Sequence, residues 1–234
     1  MRLLTLLLCF LAWCSASAET VVFHSDTFEA GDDQTWAQAY FGPPSLVGPT
    51  SGMTSNSLWF SDYDQISYAT PDGYVYTGTA NGYRGWYGVE FDLLIDAGQQ
   101  DGLFRVLIDS PVNTLTFDND TSLLLYQAGA GTSTEYITVG SFEKNVLMHV
   151  EYNFSLWEDK WLIKINGEEI VSDVINASSF SSLRFAGTNT SAYLDNVVIA
   201  ATPEPVPLPA AVYLFASGLG LLGWFRRRAQ LCKN

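Results

Sequence analysis

The sequence predicts an all-β fold in which two antiparallel sheets pack face to face as a sandwich. Between Glu19 and Thr202, no segment has the apolar spacing of an amphipathic helix. Several segments instead alternate apolar and polar residues with the period of two that is typical of a half-buried strand. Clusters of Gly, Asp and Asn separate these segments. Short strands between such turns are typical of an antiparallel sandwich.

The clearest strand is predicted at residues 146–156, where apolar and polar side chains alternate with one exception at Leu147. The alternation resumes from Trp161 to Ile165 and ends at Asn166-Gly167, the dipeptide favoured in type I′ hairpin turns. A returning strand is therefore expected at 168–174. The remaining strands are predicted at 89–96, 103–109, 122–126, 136–139, 183–185 and 193–200.

The first residues, Met1 to Ala18, are predicted to be a secretory signal peptide. Arg2 precedes an apolar stretch from Leu3 to Trp13, and the small residues Ala16-Ser17-Ala18 follow it. This order is typical of a cleavable export signal, which signal peptidase would remove after Ala18. The exported domain is therefore expected to begin at Glu19.

The other end of the chain predicts a temporary membrane anchor. An apolar run of 18 residues, 208–225, is followed by Arg226, Arg227 and Arg228. A helix of about 20 apolar residues spans a bilayer, and basic residues stay on the cytoplasmic side. We therefore expect a transmembrane helix at 208–225 and a short cytoplasmic tail at 229–234.

The same end resembles a PEP-CTERM sorting signal. The resemblance rests on Pro203-Glu204-Pro205, the segment Val206–Phe215, the glycine-spaced apolar helix and the arginine cluster. It implies a bacterium with a Gram-negative envelope, recognition of segment 203–228 by a membrane exosortase, and removal of the helix near the Pro-Glu-Pro motif. It also implies a role in exopolysaccharide or biofilm, at the cell surface or in the extracellular matrix.

The central domain, 19–202, is strongly acidic. The 25 acidic residues of the chain all lie between Glu19 and Glu204, against six basic residues there, which leaves 19 net negative charges. Such a surface repels nucleic acid and anionic lipid, so we expect no nucleic-acid partner. The charge suits calcium, neutral sugars or simple solubility. The three cysteines, Cys9, Cys14 and Cys232, all lie in the two ends, so no disulfide is expected within the domain.

The domain also resembles the concanavalin A-like lectin and glucanase family, whose fold is a jelly roll. The resemblance covers about residues 23–200. It rests on the long strand at 146–156, the segment Trp161–Gly167, the closing segment Tyr193–Ile199 and the opening segment Asp26–Gly31. It implies a jelly-roll sandwich that serves as a sugar-binding or adhesive module, or as a glucanase.

A glucanase of this family would need catalytic carboxylates that the sequence does not supply. Laminarinase-type enzymes carry Glu-x-Asp-x-x-Glu on one strand, but here Glu90 and Asp92 are followed by Ile95 at the acid/base position. Isoleucine cannot donate a proton, and retaining hydrolysis needs two carboxyl groups. His24 and His149 are far apart in sequence, and no nucleophile elbow or phosphate-binding loop is present. We therefore expect a non-enzymatic protein, with a divergent glycoside hydrolase as one alternative.

Aromatic residues in the first half of the domain are candidates for carbohydrate binding. Tyr83, Arg84 and Trp86 lie beside glycines in an expected loop, and Tyr63 lies upstream. Exposed rings stack on the apolar faces of sugars. The alternative is that these rings fill the core of the sandwich. Because the domain is acidic, we expect Tyr83 and Trp86 to stack on a neutral polysaccharide.

Asp26 and Glu29 near the opening strand, and Asp195 near the closing strand, are candidate ligands for a structural calcium ion. Terminal strands often pair in jelly rolls, which would bring these residues together, and calcium takes six to eight oxygen ligands. Asp118-Asn119-Asp120 is a second acidic cluster, but it lacks the Gly and distal Glu of an EF-hand loop, so we expect an ordinary turn there.

The combined expectation is a secreted, non-enzymatic β-sandwich that is sorted by an exosortase and binds or embeds in extracellular polysaccharide. A structural surface or matrix protein without a defined ligand is the main alternative.

Overall fold

The computed structural model describes residues 19–29, 37–38, 44–49, 53, 55–61, 63–71, 85–98, 101–108, 113–128, 136–155, 157–158, 160–174 and 180–203. These residues form fifteen β-strands and no helix. The strands are β1 Val21–Asp26, β2 Ala37–Gln38, β3 Ser45–Val47, β4 Ser57–Phe60, β5 Gln65–Ala69, β6 Gly85–Ile95, β7 Leu103–Ile108, β8 Asn113–Asp118, β9 Leu123–Ala128, β10 Tyr136–Ser141, β11 Met148–Ser155, β12 Lys160–Ile165, β13 Glu168–Val174, β14 Ser182–Thr188 and β15 Ala192–Pro203.

The strands form two antiparallel sheets, which confirms the predicted all-β, two-sheet architecture. The eight-stranded sheet has the order β13-β12-β11-β6-β15-β4-β3, with β1 also paired to β15. The seven-stranded sheet has the order β10-β9-β8-β7-β14-β5-β2. All the pairings between strands are antiparallel, and β15 pairs with β6 along most of its length.

The core lies between the two sheets, and strands such as β7 and β14 alternate buried and less buried side chains. Ring contacts join the sheets directly. Tyr126 of β9 stacks on Trp161 of β12, with ring centroids 4.0 Å apart. Phe91 of β6 meets Phe185 of β14 edge to face at 5.3 Å. Burial of such large rings is the main favourable contribution to folding in a domain that has no cysteines.

The hairpin between β12 and β13 has the predicted turn. Asn166 and Gly167 both have positive φ angles, 53° and 80°. Two successive residues of this kind define a type I′ turn, whose twist matches that of the flanking strands. Residues 119–122 form the expected turn after β8, and there the side chain of Asp118 accepts hydrogen bonds from Asp120 N at 3.0 Å and Thr121 Oγ1 at 2.7 Å.

The nine strands expected from the sequence are present, with ends that differ by a few residues, and the structure adds β1 to β5 and β8. The sandwich occupies the unit Thr20–Pro203. Within the described ranges, no helix is long and apolar enough to cross a membrane. The predicted signal peptide (1–18) and transmembrane helix (208–225) lie outside those ranges, as do Glu204, Pro205 and Arg226 to Arg228.

Candidate functional site

A cleft of about 390 Å³ lies on the seven-stranded sheet. Strands β7 and β14 and the segment that joins β4 to β5 supply its lining. The apolar part consists of Leu107, Ala186 and Gly187, and the polar part of Tyr63, Asp64, Gln65, Arg105, Arg184 and Thr188. Small-molecule sites in proteins have volumes of about 300–1,000 Å³ and combine apolar side chains with a few polar groups. The cleft has the size and composition of such a site.

Strand alternation places the cleft on the outer face of the sheet. Phe104 and Val106 of β7 are fully buried in the core. Arg105 lies between them, so its side chain leaves the opposite face of the strand. In β14, Leu183 and Phe185 are likewise fully buried, and Arg184 lies between them. Both arginines therefore point away from the core and into the same cleft.

The two arginines are diagonal neighbours across adjacent strands. Arg105 pairs in register with Ala186, and Arg184 pairs with Leu107. The backbones of such diagonal neighbours are about 7–8 Å apart, and long side chains on them can reach one another's ligand. When the amide of Gln65 has its oxygen towards Arg184, that oxygen accepts hydrogen bonds from Arg184 Nε at 2.5 Å and Nη1 at 3.0 Å.

One side of the cleft is a turn that is held firmly against β14. Asp64 Oδ2 accepts hydrogen bonds from Ser61 N at 2.7 Å and Ser61 Oγ at 2.9 Å. The carbonyl of Asp64 accepts a hydrogen bond from Gly187 N at 2.8 Å. A Cβ atom at Gly187 would lie 3.0 Å from Phe60 Cβ and 3.2 Å from Ser61 O. Glycine at 187 therefore permits this close approach of the turn, and a larger residue there would press on Phe60 and Ser61.

Tyr63 stands on this turn with its side chain towards the solvent. Tyr63 is 54% exposed, and its φ angle of 61° lies in the left-handed region. Bulky residues rarely adopt that conformation, and they keep it where the surrounding structure imposes it. The hydrogen bonds of Asp64 supply that constraint, so the ring of Tyr63 is presented at the cleft by the fold of the turn.

The predicted carbohydrate-binding residues do not form one surface. Tyr63 lines the cleft of the seven-stranded sheet. Trp86 belongs to β6 of the eight-stranded sheet, where it is half-buried and adjoins Tyr87, which is in the core. Trp86 therefore faces outward on the opposite side of the sandwich from Tyr63. Tyr83 and Arg84 lie outside the described residues, and their assignment stays a prediction.

The predicted calcium ligands lie around the place where β1 and β4 meet the same edge of β15. Asp26 is buried, and its Oδ1 accepts a hydrogen bond from Phe28 N at 2.7 Å. Glu29 accepts hydrogen bonds from Asn56 N at 2.9 Å and Asn56 Nδ2 at 3.0 Å. The buried Asp195 accepts hydrogen bonds from Ser55 Oγ and from Asn196 N. Each carboxylate thus has protein donors of its own.

The geometry does not supply a ready-made metal cage. Among the described residues, no three side chains of His, Cys, Asp or Glu are grouped so that they could hold a metal ion. Calcium also accepts backbone carbonyl and amide oxygens, so a site with fewer carboxylates remains chemically possible. The calcium assignment therefore stays a prediction.

Asp195 is in an unfavourable electrostatic environment. Burial raises the pKa of its carboxyl group above the ordinary value of 3.8, and the negative charges of Asp92 and Glu29 raise it further. The hydrogen bonds from Ser55 and Asn196 act in the opposite direction but do not cancel the increase. The effect of Asp92 and Glu29 on this pKa means that both carboxylates lie close enough to Asp195 for their charges to interact with it.

The residues at the glucanase motif are arranged as an ordinary strand. Glu90 and Asp92 lie on the outer face of β6, whereas Ile95 is fully buried in the core. Asp92 accepts a hydrogen bond from Asn196 Nδ2 at 2.7 Å, and its Oδ1 lies 2.8 Å from His149 Nδ1. His149 thus has a cross-strand partner in Asp92. The arrangement accounts for Asp92 and His149 as a surface pair between β6 and β11.

Several solved structures share the fold of this domain. The chain is similar to the CBM2 module of the evolved Dit protein of Lactobacillus casei BL23 phage J-1, at 8% identity and a TM-score of 0.57, over 82% of this chain and 100% of that one. It is similar to the carbohydrate recognition domain of Emp47p at 10% identity and a TM-score of 0.50, over 80% and 98%. A Bacillus subtilis protein of unknown function with a galectin-like fold matches at 10% identity and a TM-score of 0.51, over 81% and 100%.

At these identities the likeness shows the fold alone. The chain is thus a two-sheet β-sandwich whose fold is similar to the folds of these three domains. It spans only 16% of the length of a sialidase that it also matches, and nothing of that enzyme's activity is carried over. No family model and no curated protein matches the chain.

Proposed function

We propose that the protein is an exported, non-enzymatic carbohydrate-binding module that holds extracellular polysaccharide in the cleft of its seven-stranded sheet. The observation that carries this proposal is the lining of the cleft. It combines the exposed ring of Tyr63, the apolar side chains of Leu107 and Ala186, and polar groups held on two rigid strands. Sugars offer an apolar face to an aromatic ring and hydroxyl groups to polar side chains, so this lining suits them.

The fold and the missing catalytic groups support the non-enzymatic part of the proposal. Neighbours with the same fold include a carbohydrate recognition domain. At the motif where a laminarinase-type enzyme carries its acid/base, this chain has a core isoleucine, Ile95. Isoleucine at that position cannot donate the proton that the leaving group needs in retaining glycoside hydrolysis.

The sequence at the two ends supports export and sorting. Signal peptidase would cleave after Ala18, and segment 203–228 would anchor the protein in the membrane until an exosortase removes the helix near Pro205. The mature product would lie at the surface or in the extracellular matrix of a bacterium with a Gram-negative envelope. There the cleft would meet the polysaccharide that this protein binds.

The experiment that tests the proposal compares two tyrosine variants of residues 19–203. Tyr63→Ala removes the ring at the cleft. Tyr136→Ala removes a ring of similar exposure, 42%, on the edge strand β10, which three other strands separate from β14. Both variants should melt like the wild type because both rings are largely exposed. Tyr63→Ala should weaken polysaccharide binding by about 1–2 kcal/mol because apolar burial against the sugar is lost.

Binding is measured by pull-down on insoluble glucan, cellulose and chitin, and by affinity electrophoresis in gels that contain soluble neutral and acidic polysaccharides. Equal binding by the two variants would place the site elsewhere on the domain. If the wild-type domain binds none of these polysaccharides, the structural matrix protein becomes the better assignment.

A further inference from the structure

We infer that the cleft selects acidic sugars, and that Arg105 and Arg184 together bind the carboxylate of a uronic acid residue. The inference rests on the proposed function of the cleft and names its ligand class. The overall negative charge of the domain predicts a neutral ligand. The positions of the few basic side chains instead favour an acidic one.

The two lysines of β12 and the two arginines of the cleft differ in their surroundings. Lys160 Nζ lies 3.0 Å from Glu158 Oε2, and Lys164 Nζ lies 3.1 Å from Glu151 Oε2, so both lysines are neutralised by a neighbour. Arg105 and Arg184 form no salt bridge within the described residues, although 25 acidic residues lie between Glu19 and Glu204 against six basic ones. Within the described part of the chain, two guanidinium groups without a carboxylate partner therefore share one cleft of a highly acidic protein.

Arg105 has a donor that is not satisfied by the protein. Its Nε is buried and has no hydrogen-bond partner in the described part of the chain. Thr116 pairs with Arg105 in register on the adjacent strand β8, and its buried Oγ1 also has no partner there. Buried polar groups are satisfied in the great majority of cases. Arg105 lines the cleft and Thr116 does not, so the guanidinium group of Arg105 is the member of this pair that an anionic ligand in the cleft would meet.

Arg184 is already held in place for such a ligand. Its Nε and Nη1 donate to the amide oxygen of the buried Gln65, which leaves its other N–H groups available for a ligand. A planar guanidinium matches a carboxylate with two parallel hydrogen bonds, and such charge-assisted bonds are about twice as strong as neutral ones. Because Gln65 fixes the plane of the group, less side-chain entropy is lost on binding.

The acidic surroundings do not oppose this contact strongly. Asp64 is the acidic residue of the lining, and its Oδ2 accepts both hydrogen bonds from Ser61. Charges elsewhere on the surface are screened over about 8 Å at physiological ionic strength. The 19 net negative charges therefore reduce the rate of encounter with an acidic polymer at low salt, while contact within the cleft is set by the two arginines.

The test uses polygalacturonate and the same polymer with its carboxyl groups methyl-esterified, because the pair differs only in charge. The wild-type domain should bind polygalacturonate at least tenfold more tightly than the ester at 0.15 M salt. Arg105→Gln and Arg184→Gln should each reduce binding to polygalacturonate about tenfold and leave binding to the ester unchanged. Lys160→Gln removes the same charge from the eight-stranded sheet, and it should bind like the wild type.

Two further arms keep the outcome decisive. Arg105→Lys retains the charge without the planar fork, so it should bind polygalacturonate more weakly than the wild type, and it replaces Arg105→Gln if that variant does not fold. Dextran sulfate tests for a general polyanion site, and tighter binding to it than to polygalacturonate would overturn the assignment to carboxylates. Equal affinity for polygalacturonate and its ester, lost in Tyr63→Ala, would overturn acidic selectivity but keep the carbohydrate site. Failure to bind any polysaccharide would overturn both.

Discussion

Asp195 and Ser55 are joined by a hydrogen bond between the closing strand and the segment that leads into β4, across 140 residues of sequence. The bond brings a hydroxyl to a carboxylate that is buried near two other acidic side chains, Asp92 and Glu29. It therefore offsets part of the electrostatic cost of burying this charge, and the residual cost can be measured.

The pH dependence of stability should report on Asp195. Because its folded pKa is raised above 3.8, the folded state favours the protonated carboxyl group. That contribution is complete below pH 3.8 and is lost as the pH rises through the higher folded pKa. Asp195→Asn has no carboxyl group to ionise, so its stability should not fall in this way. The melting temperature of the variant should therefore rise relative to that of the wild type between pH 4 and pH 7, measured with chelator present. A difference that stays constant with pH would contradict this explanation.

In the presence of calcium, we expect the charge of Asp195 to stabilise the folded state instead of destabilising it. If Asp26, Glu29 and Asp195 share a calcium ion, binding to the folded state stabilises it by about 2.7 kcal/mol at about a hundredfold excess over Kd. Calcium should then raise the melting temperature of the wild type, chelator should lower it again, and Asp195→Ala should abolish the difference. Identical melting curves with calcium and with chelator would show that no calcium ion stabilises this domain.

The variant Trp86→Ala tests which of the two sheets carries the polysaccharide-binding surface. Trp86 is half-buried on the outer face of the eight-stranded sheet, so its removal should cost less than the about 3–5 kcal/mol typical of a fully buried Trp or Phe. The variant should remain folded and bind polysaccharide like the wild type, as judged by a melt and a pull-down. Lost binding with an unchanged melt would instead assign the sugar to the predicted platform at Tyr83 and Trp86.

Gly167→Ala tests the turn between β12 and β13. A Cβ at this position has no atom within 4 Å, so no steric clash opposes the substitution. The φ angle of 80° remains unfavourable for alanine, and we expect a loss of about 1–2 kcal/mol in the free energy of unfolding. Denaturant titration measures it. A neutral effect would show that the turn can change its conformation without cost.

Processing can be examined on protein from native cells. Mass spectrometry of the C-terminal peptide should find that the mature protein ends near Pro205, since the Pro-Glu-Pro motif precedes the apolar helix. Intact Arg226 to Arg228 on the surface-exposed protein would exclude removal of the anchor.

Much of the fold could be predicted because alternation is a local property of the chain. Strands such as β11 and β12 have residues in clear period two, and the Asn166-Gly167 turn sets the pairing of Ile165 with Glu168 and of Lys164 with Glu169, beyond which the register shifts by one residue. Strand β8 was missed because only Leu115 and Phe117 are apolar in it. Its threonines, Thr114 and Thr116, are buried as well, which a binary pattern of apolar and polar residues does not predict.

The candidate site was mostly missed for a different reason. Arg105 and Arg184 each lie between apolar residues of an ordinary strand, and only the pairing of β7 with β14 brings them together. A single sequence does not specify which strands are neighbours. The available signal was weaker, since each arginine is the one charged residue on the outward phase of its strand. Tyr63 was predicted from its aromatic ring, but its place on the turn depends on Gly187 in a distant strand.

The pairing of β1 with β15 has a consequence for the order in which the domain can assemble. In the described sheets β1 pairs only with β15, and a contact near this pair, between the hydroxyls of Thr20 and Thr202, spans 182 residues. Closing so long a loop slows folding and cannot precede synthesis of the last strand. The nascent chain therefore has no complete eight-stranded sheet until residue 203 is available.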